Sequence, residues 1–270
     1  MSQKTIAIIG FGWLGKPLAI QLKECGYRVL AGSRNDNKVK EINDLGILGF
    51  KLSFTENTMD SDLSDDQINQ CDYLIISVPP SGFENYAGSL ENLVKAFSAQ
   101  TRIIFTSSTG VYKDIDAEID ETSEIIENHP VYVAEKTLQS IAKDRLTILR
   151  LAGLIGENRH PAKFFVQRNS IPNGASPVNL VRREDVINSI LIVLKKNRFG
   201  ETYNIVNPQH PAKGSYYFQA AKTLFGKEID RVAGEKGKLV NGIKFMNQFD
   251  FAYEHSISDW DAFKGSAKLT

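Results

Sequence analysis

Three short runs in this chain carry side chains whose types and spacing could do chemistry. Tyr132 and Lys136, in Pro130-Val131-Tyr132-Val133-Ala134-Glu135-Lys136, are four residues apart. On a helix they share a face, so the ammonium can lie near the phenol. A free tyrosine titrates near about pH 10, too high for proton exchange at neutral pH, and a neighbouring cation stabilises its phenolate. Pro130 suits the first turn of such a helix and puts Tyr132 close to the helix N-terminus. Upstream runs Thr106-Ser107-Ser108-Thr109-Gly110-Val111-Tyr112. Here the Ser108 hydroxyl can hydrogen-bond a substrate oxygen on which charge develops during hydride transfer. The third run, Gly10-Phe11-Gly12-Trp13-Leu14-Gly15, follows the apolar Ile6-Ala7-Ile8-Ile9 and leads into Leu14, Leu18, Ala19 and Leu22 at helical spacing. Strand, G-x-G-x-x-G and helix together form a dinucleotide-binding fingerprint. Gly10 makes the tight turn, Gly12 lets backbone N–H groups approach a pyrophosphate, and Gly15 allows close packing of helix on strand. Taken alone, Y-x-x-x-K is usually a surface pair and S-S-T a capped loop; their joint placement behind the glycine loop is what points to catalysis.

The elements that must position these groups can be read from hydrophobic periodicity. Tyr27 to Ala31, Ile47 to Leu52, Asp72 to Val78, Arg102 to Thr106, Leu146 to Leu151 and Thr202 to Val206 read as strands after the first. Asp36 to Leu45, Phe83 to Ala99, Pro130 to Ala142 and Arg182 to Lys196 read as helices between them. Short apolar runs alternating with helices predict an α/β fold, a Rossmann-type doubly wound parallel sheet whose strands are covered on both faces. The acidic stretch Ser53 to Gln70 is expected to be a solvated loop around one short helix, and no metal site is expected there or elsewhere. The segments 157–177 and 207–270 are richer in Pro, Gly, His and aromatic residues and are expected to form a small substrate lobe. Residues 1–156 and 178–206 then form the nucleotide-binding domain.

Lys plus Arg equals Asp plus Glu at 32 each, so no net positive field exists to hold nucleic acid or an anionic membrane. The most apolar stretch, Ile190 to Leu194, is too short to span a bilayer. With a strand starting at once after Met1, a cytoplasmic location is expected. Cys25 and Cys71 lack any metal or redox spacing and read as reduced packing residues.

The residues Ser107-Ser108-Thr109-Gly110-Val111-Tyr112, the Tyr132/Lys136 pair, Leu149-Arg150-Leu151-Ala152-Gly153-Leu154-Ile155-Gly156, Asn179-Leu180-Val181-Arg182-Arg183-Glu184-Asp185-Val186 and Tyr203-Asn204-Ile205-Val206 carry a further signal. Through them the chain resembles the short-chain dehydrogenase/reductase superfamily, in its extended or atypical NAD(P)-dependent epimerase/dehydratase branch. More narrowly, Gly12-Trp13-Leu14-Gly15, Arg159-His160-Pro161 and His210-Pro211-Ala212 look like the YeeZ-type atypical subgroup. The chain departs from the extended branch in its shorter first turn, Gly10-Phe11-Gly12, and in having Gly153 where that branch commonly has Asn. Unlike many YeeZ-type relatives, it keeps both the tyrosine and the lysine.

The resemblance implies an oxidoreductase in which Tyr132 exchanges the proton, Lys136 supports it and holds the nicotinamide ribose, and Ser108 orients the substrate oxygen. The glycine loop with Phe11, Trp13 and Leu14, together with Ser33, Val78, Pro79, Pro80 and Ser107, is expected to border the nucleotide. Gly32-Ser33-Arg34 follows the second strand, where an acidic residue would select NAD and an Arg accommodates a 2′-phosphate. NADP is therefore expected, with NAD as the alternative. Arg159, His160, Asn179 and Arg182 are candidates for contacting a small-molecule substrate, anionic if the arginines take part and nucleotide-sugar-like by the resemblance. Each has a plain structural reading as well: surface ion pairs for Arg182, a turn beside Pro161 for His160. A homodimer is usual in the resembled superfamily. The rival readings are a catalytically silent NADP-binding regulator or redox sensor, and a β-hydroxyacid dehydrogenase, which would need a long all-helical C-terminal domain.

Overall fold

Short apolar runs and amphipathic segments alternate through the first half of the chain in the computed structural model, which describes residues 3–54 and 58–267. Strand β1 (Thr5–Ile9) leads into α1 (Gly15–Glu24), β2 (Arg28–Ser33), α2 (Asp36–Asp44) and β3 (Leu48–Phe54). Next come β4 (Met59–Ser61), the short α3 (Asp65–Asn69), β5 (Tyr73–Ile76), α4 (Tyr86–Ala96) and β6 (Arg102–Ser108). After β7 (Glu118–Ile119) follow α5 (Pro130–Ala142), β8 (Leu146–Leu151), β9 (Gly153–Ile155), α6 (Ala162–Arg168), β10 (Ser170–Ile171) and β11 (Leu180–Arg182). The chain continues through α7 (Arg183–Lys196), β12 (Thr202–Ile205), α8 (Lys213–Phe225), β13 (Asp230–Arg231), β14 (Leu239–Val240) and α9 (Ile243–Phe249).

Eight strands form the main sheet in the order β12-β8-β6-β5-β1-β2-β3-β4. β1 pairs in parallel with β2 and β5, β2 with β3, and β5 with β6. Every residue of β1, β5 and β8 is buried, as strands covered by helices on both faces require. This is the Rossmann-type α/β sheet that the alternation predicts. One expectation needs correction: the acidic stretch after β3 is not only loop and helix. Met59–Ser61 forms an antiparallel edge strand on Leu52–Phe54, while residues 55–57 lie outside the described residues. A three-residue strand with exposed Asp60 at its centre has no apolar alternation to betray it, and a charged edge of this kind discourages pairing with other chains.

The chain divides into two units. The first comprises Met1–Val111, Ile126–Leu149 and Val193–Thr202. The second comprises Tyr112–Ile125, Arg150–Ile192 and Tyr203–Thr270. The second has its own core, in which Ile155, Phe165, Ile171, Tyr216, Tyr217, Leu224, Ile257 and Phe263 are buried together.

Candidate functional site

The turn from β1 to α1 in the first unit depends on backbone clearance. A Cβ on Gly15 would lie 1.9 Å from the Gly10 carbonyl oxygen, and one on Gly10 would lie 2.2 Å from the Ser77 carbonyl oxygen. Gly10 also has φ +114, a conformation that side chains resist. Gly12 differs, because a Cβ there would meet no heavy atom within 4 Å. Helix α1 begins behind this loop with Leu14 at its N-cap and no side-chain cap, which suits an N-terminus that meets an anion.

Beside the loop lies a pocket of about 300 Å³. Gly10, Phe11, Gly12, Ser33, Arg34, Val78 and Pro79 all line it, which brings together most of the residues expected to border a nucleotide. Trp13, Leu14, Gly15 and Pro80 do not line it; Leu14 and Gly15 are buried under the loop instead. Sequence reasoning missed an aromatic wall: Phe54 and Phe83 line the same pocket, their ring centroids 5.3 Å apart. Arg34 donates from Nη1 to the Gly82 carbonyl at 3.1 Å and stands 5.7 Å over the Phe83 ring. The only sequence signal for Phe83 was its place just after Pro79-Pro80. A dinucleotide fits this set, with open backbone at Gly12 and a cation at the end of β2.

The same unit holds the three residues expected to do chemistry. Helix α5 starts at Pro130, with His129 as N-cap accepting from the Val131 N–H at 3.3 Å. The Lys136 ammonium stands 5.7 Å from the Tyr132 ring centroid, and Glu127 pairs with it at 3.6 Å. Tyr132 is half-buried and Lys136 exposed. Ser108 closes β6, half-buried, with Oγ accepting the Gly110 N–H at 3.0 Å. A Cβ on Gly110 would lie 3.1 Å from Ser108 Oγ and 4.0 Å from His129 Nε2, so the end of β6 and the start of α5 are neighbours. Ser107 is buried and donates to the Glu135 carboxylate, which is itself fully buried. Its hydroxyl is therefore engaged in joining strand to helix rather than turned to the nucleotide pocket.

The substrate candidates lie in the second unit, where His160 and Arg182 both pack against the Phe263 ring. Arg159 is exposed at a tight turn closed by paired backbone bonds with Gly156, at 2.9 and 3.0 Å. His160 is buried, its ring 4.9 Å from Phe263 and 5.8 Å from Tyr216. Burial, reinforced by the Arg182 charge, pushes its pKa down to about 4. Asn179 clips the segment before β14, donating to the Lys238 carbonyl and accepting from the Val240 N–H, each at 2.8 Å. Arg182 is buried, donates from Nε to Glu184 at 3.2 Å and stands 4.5 Å over the Phe263 ring. At Gly153, where the extended branch commonly has Asn, a Cβ would lie 2.8 Å from Leu180 Cδ2 and 3.1 Å from the Asn179 carbonyl oxygen, so a side chain there requires Leu180 to shift.

Among the described residues no helix is long and apolar enough to cross a membrane. Residues 5–104 match the family model described as NADP oxidoreductase, coenzyme F420-dependent. The chain resembles, at TM-score 0.78 and 20% identity, a functionally unknown conserved protein from Silicibacter pomeroyi, with 98% of this chain and 99% of that one covered. It also resembles the NAD complex of dTDP-glucose 4,6-dehydratase from Bacillus anthracis, at TM-score 0.72 and 16% identity over 97% of this chain and 95% of the other. The fold is therefore one shared with NAD-dependent sugar-nucleotide enzymes. In sequence, the chain is 35% identical to protein YeeZ of Escherichia coli K12 over 93% of its own length and 96% of that protein's. An NADP-oxidoreductase-type nucleotide domain, a Rossmann sheet and end-to-end identity at that level make this chain a member of the YeeZ family.

Proposed function

We propose that the protein is an NADP-dependent oxidoreductase of the epimerase/dehydratase type, with NAD as the alternative cofactor. It acts on a carbonyl or alcohol carbon of a small, nucleotide-sugar-like substrate. With the dinucleotide bound, hydride transfer to or from that carbon is the chemistry it supplies. Tyr132 gives or takes the proton at the substrate oxygen, Ser108 Oγ hydrogen-bonds that oxygen, and the Lys136 ammonium supplies the positive charge beside the phenol. Arg34 favours NADP, as a cation at the end of β2 on the wall of the nucleotide pocket. In this reading the first unit holds nucleotide and catalytic groups, and the second supplies substrate recognition.

The observation that carries the proposal is the placement of the Lys136 ammonium 5.7 Å from the Tyr132 ring, on a helix fixed to the strand that ends in Ser108. The test is turnover of NADPH and NADH against a panel of carbonyl compounds and nucleotide sugars, in the wild type and in Tyr132→Phe. General acid–base catalysis contributes about 10²–10⁴ in rate. The variant should bind nucleotide within about twofold of wild type and lose at least about a hundredfold in kcat. Retained turnover in Tyr132→Phe overturns the assignment. Tight NADPH binding with no oxidation by any compound would favour the silent-regulator reading instead.

A further inference from the structure

A second cavity is lined wholly by residues of the second unit, to which the proposed function gives substrate recognition. Its volume is about 700 Å³, within the range of pockets that enclose small ligands. Phe165 and Tyr217 make an apolar wall, their ring centroids 4.6 Å apart and both residues buried. Two half-buried lysines share the lining with them. The Lys213 ammonium lies 5.4 Å from the Phe165 ring centroid, and the Lys238 ammonium donates to the Tyr112 carbonyl at 2.8 Å. The carboxylates of the lining, Asp114, Asp116 and Glu235, belong to exposed residues, as does Lys236. The less exposed charges of the cavity are thus positive. Burial pushes both half-buried ammonium groups down from the ordinary lysine range, and the Asp114 charge opposes this in each case. An anion in the cavity would relieve the same desolvation.

Lys213 is also placed against its local electrostatics. It is the first residue of α8, where the helix dipole favours negative charge. The helix end itself is closed: the N–H groups of Lys213 and Gly214 go to the carbonyls of Ser176 and Gly174 at 2.8 and 2.9 Å. What this position presents to the cavity is therefore the ammonium, held there against the preference of the helix dipole. The segments around the lining are held in place. Ser176 Oγ donates to the Glu235 carbonyl at 3.0 Å, the Gly174 N–H to the Val232 carbonyl at 2.8 Å, and Asn179 clips Lys238 and Val240. A cavity fixed in this way loses little on binding to ordering its own walls.

We propose that this cavity binds a small anion with a planar apolar body, its carboxylate or phosphate reached by Lys213 and Lys238 and its body against Phe165 and Tyr217. The proposal rests on the reading that the second unit recognises the substrate, but its test needs neither cofactor nor turnover, so its failure would leave the assignment of the first unit standing. The full chain is titrated calorimetrically with 4-hydroxybenzoate and with phenyl phosphate, and in parallel with the uncharged 4-hydroxybenzamide and phenol. At least one anion should bind, its uncharged counterpart at least about tenfold more weakly, and the anion that binds better separates a carboxylate ligand from a phosphate ligand. Lys213→Met and Lys238→Met should each weaken that anion by about tenfold, the loss of one charge-assisted contact. Asp114→Asn, which removes a rival negative charge, should strengthen it. Lys222→Met, which alters a lysine of the same helix that is paired with Glu228 at 2.7 Å, should change nothing. Thermal melting of each variant checks that it is folded. No binding by either anion up to roughly 10 mM, equal binding of charged and uncharged probes, or wild-type affinity in folded Lys213→Met overturns the proposal.

Discussion

A methyl group is enough to tell apart the three glycines of the nucleotide loop. On Gly15 it would sit 1.9 Å from a backbone oxygen and on Gly10 2.2 Å from another, so both are required by the fold itself. On Gly12 it would touch no atom of the described residues within 4 Å, so their packing does not explain the absence of a side chain there. A ligand approaching the backbone does explain it. Gly12→Ala should therefore change stability by no more than about 0.5 kcal/mol while weakening NADPH by about tenfold. Gly15→Ala should be destabilising by at least about 1–3 kcal/mol, the usual cost of overpacking. Urea denaturation and nucleotide titration on the two variants measure both effects, and unchanged NADPH affinity in Gly12→Ala would remove the ligand argument for that glycine. The pattern of glycines was legible in the sequence, and so was Arg34. The Phe54 and Phe83 wall was not, because it is assembled from residues 29 positions apart whose proximity depends on the finished sheet.

At the scale of elements, the proposed catalytic placement rests on how α5 is fastened to β6. Glu135 sits between Tyr132 and Lys136 in sequence and is fully buried, receiving the Ser107 hydroxyl from the strand. Glu135→Ala would leave that buried hydroxyl without this partner and open a space beside it, a loss of about 1–3 kcal/mol for the hydroxyl alone. Because Ser108 follows Ser107 directly, the same change should lower kcat while leaving NADPH affinity close to wild type; Glu135→Gln, which keeps an acceptor, should restore much of the loss. Equal kcat in wild type and Glu135→Ala would show that the clamp does not position the site. Helix α5 was legible to the residue, from Pro130 at its start and apolar spacing through Ala142. Strands β1, β5 and β8 were legible because burial on both faces leaves continuous apolar runs. Helix α8 was not, although Tyr216, Tyr217, Ala220, Ala221 and Leu224 make a helical stripe. Its opening Lys213-Gly214 carries no start signal, and Ala212 supplies no side-chain cap. Strand β4 escaped for the opposite reason, being short, polar and dependent wholly on its partner.

For the molecule as a whole, acid sensitivity follows from a histidine that the second unit keeps neutral. His160 Nδ1 accepts the Ala162 N–H at 3.2 Å, which leaves the proton on Nε2 to donate to the Tyr216 oxygen at 3.2 Å. The Tyr216 hydroxyl passes its own proton to the Ile257 carbonyl at 2.7 Å. A second proton on His160 would break the first of these bonds and bring positive charge into an aromatic cage next to Arg182. Burial and that arginine hold the pKa at about 4 in the folded chain, against about 6.5 for a free histidine. Below pH 6.5 the unfolded chain therefore takes up a proton that the native chain refuses. The stability linked to His160 is complete above about pH 6.5 and falls as the pH drops towards 4, by roughly 3 kcal/mol across that window. Urea denaturation of wild type and His160→Gln at pH 7 and pH 4.5 isolates this contribution. The variant will be less stable at both values, because the cage loses its ring, but its loss of stability between them should be smaller than that of wild type by most of that amount. An identical difference in the two proteins would mean that His160 takes up its second proton in the native state as readily as in the unfolded chain. The neutral tautomer and the hydrogen-bond relay from Ala162 to Ile257 would then both be wrong.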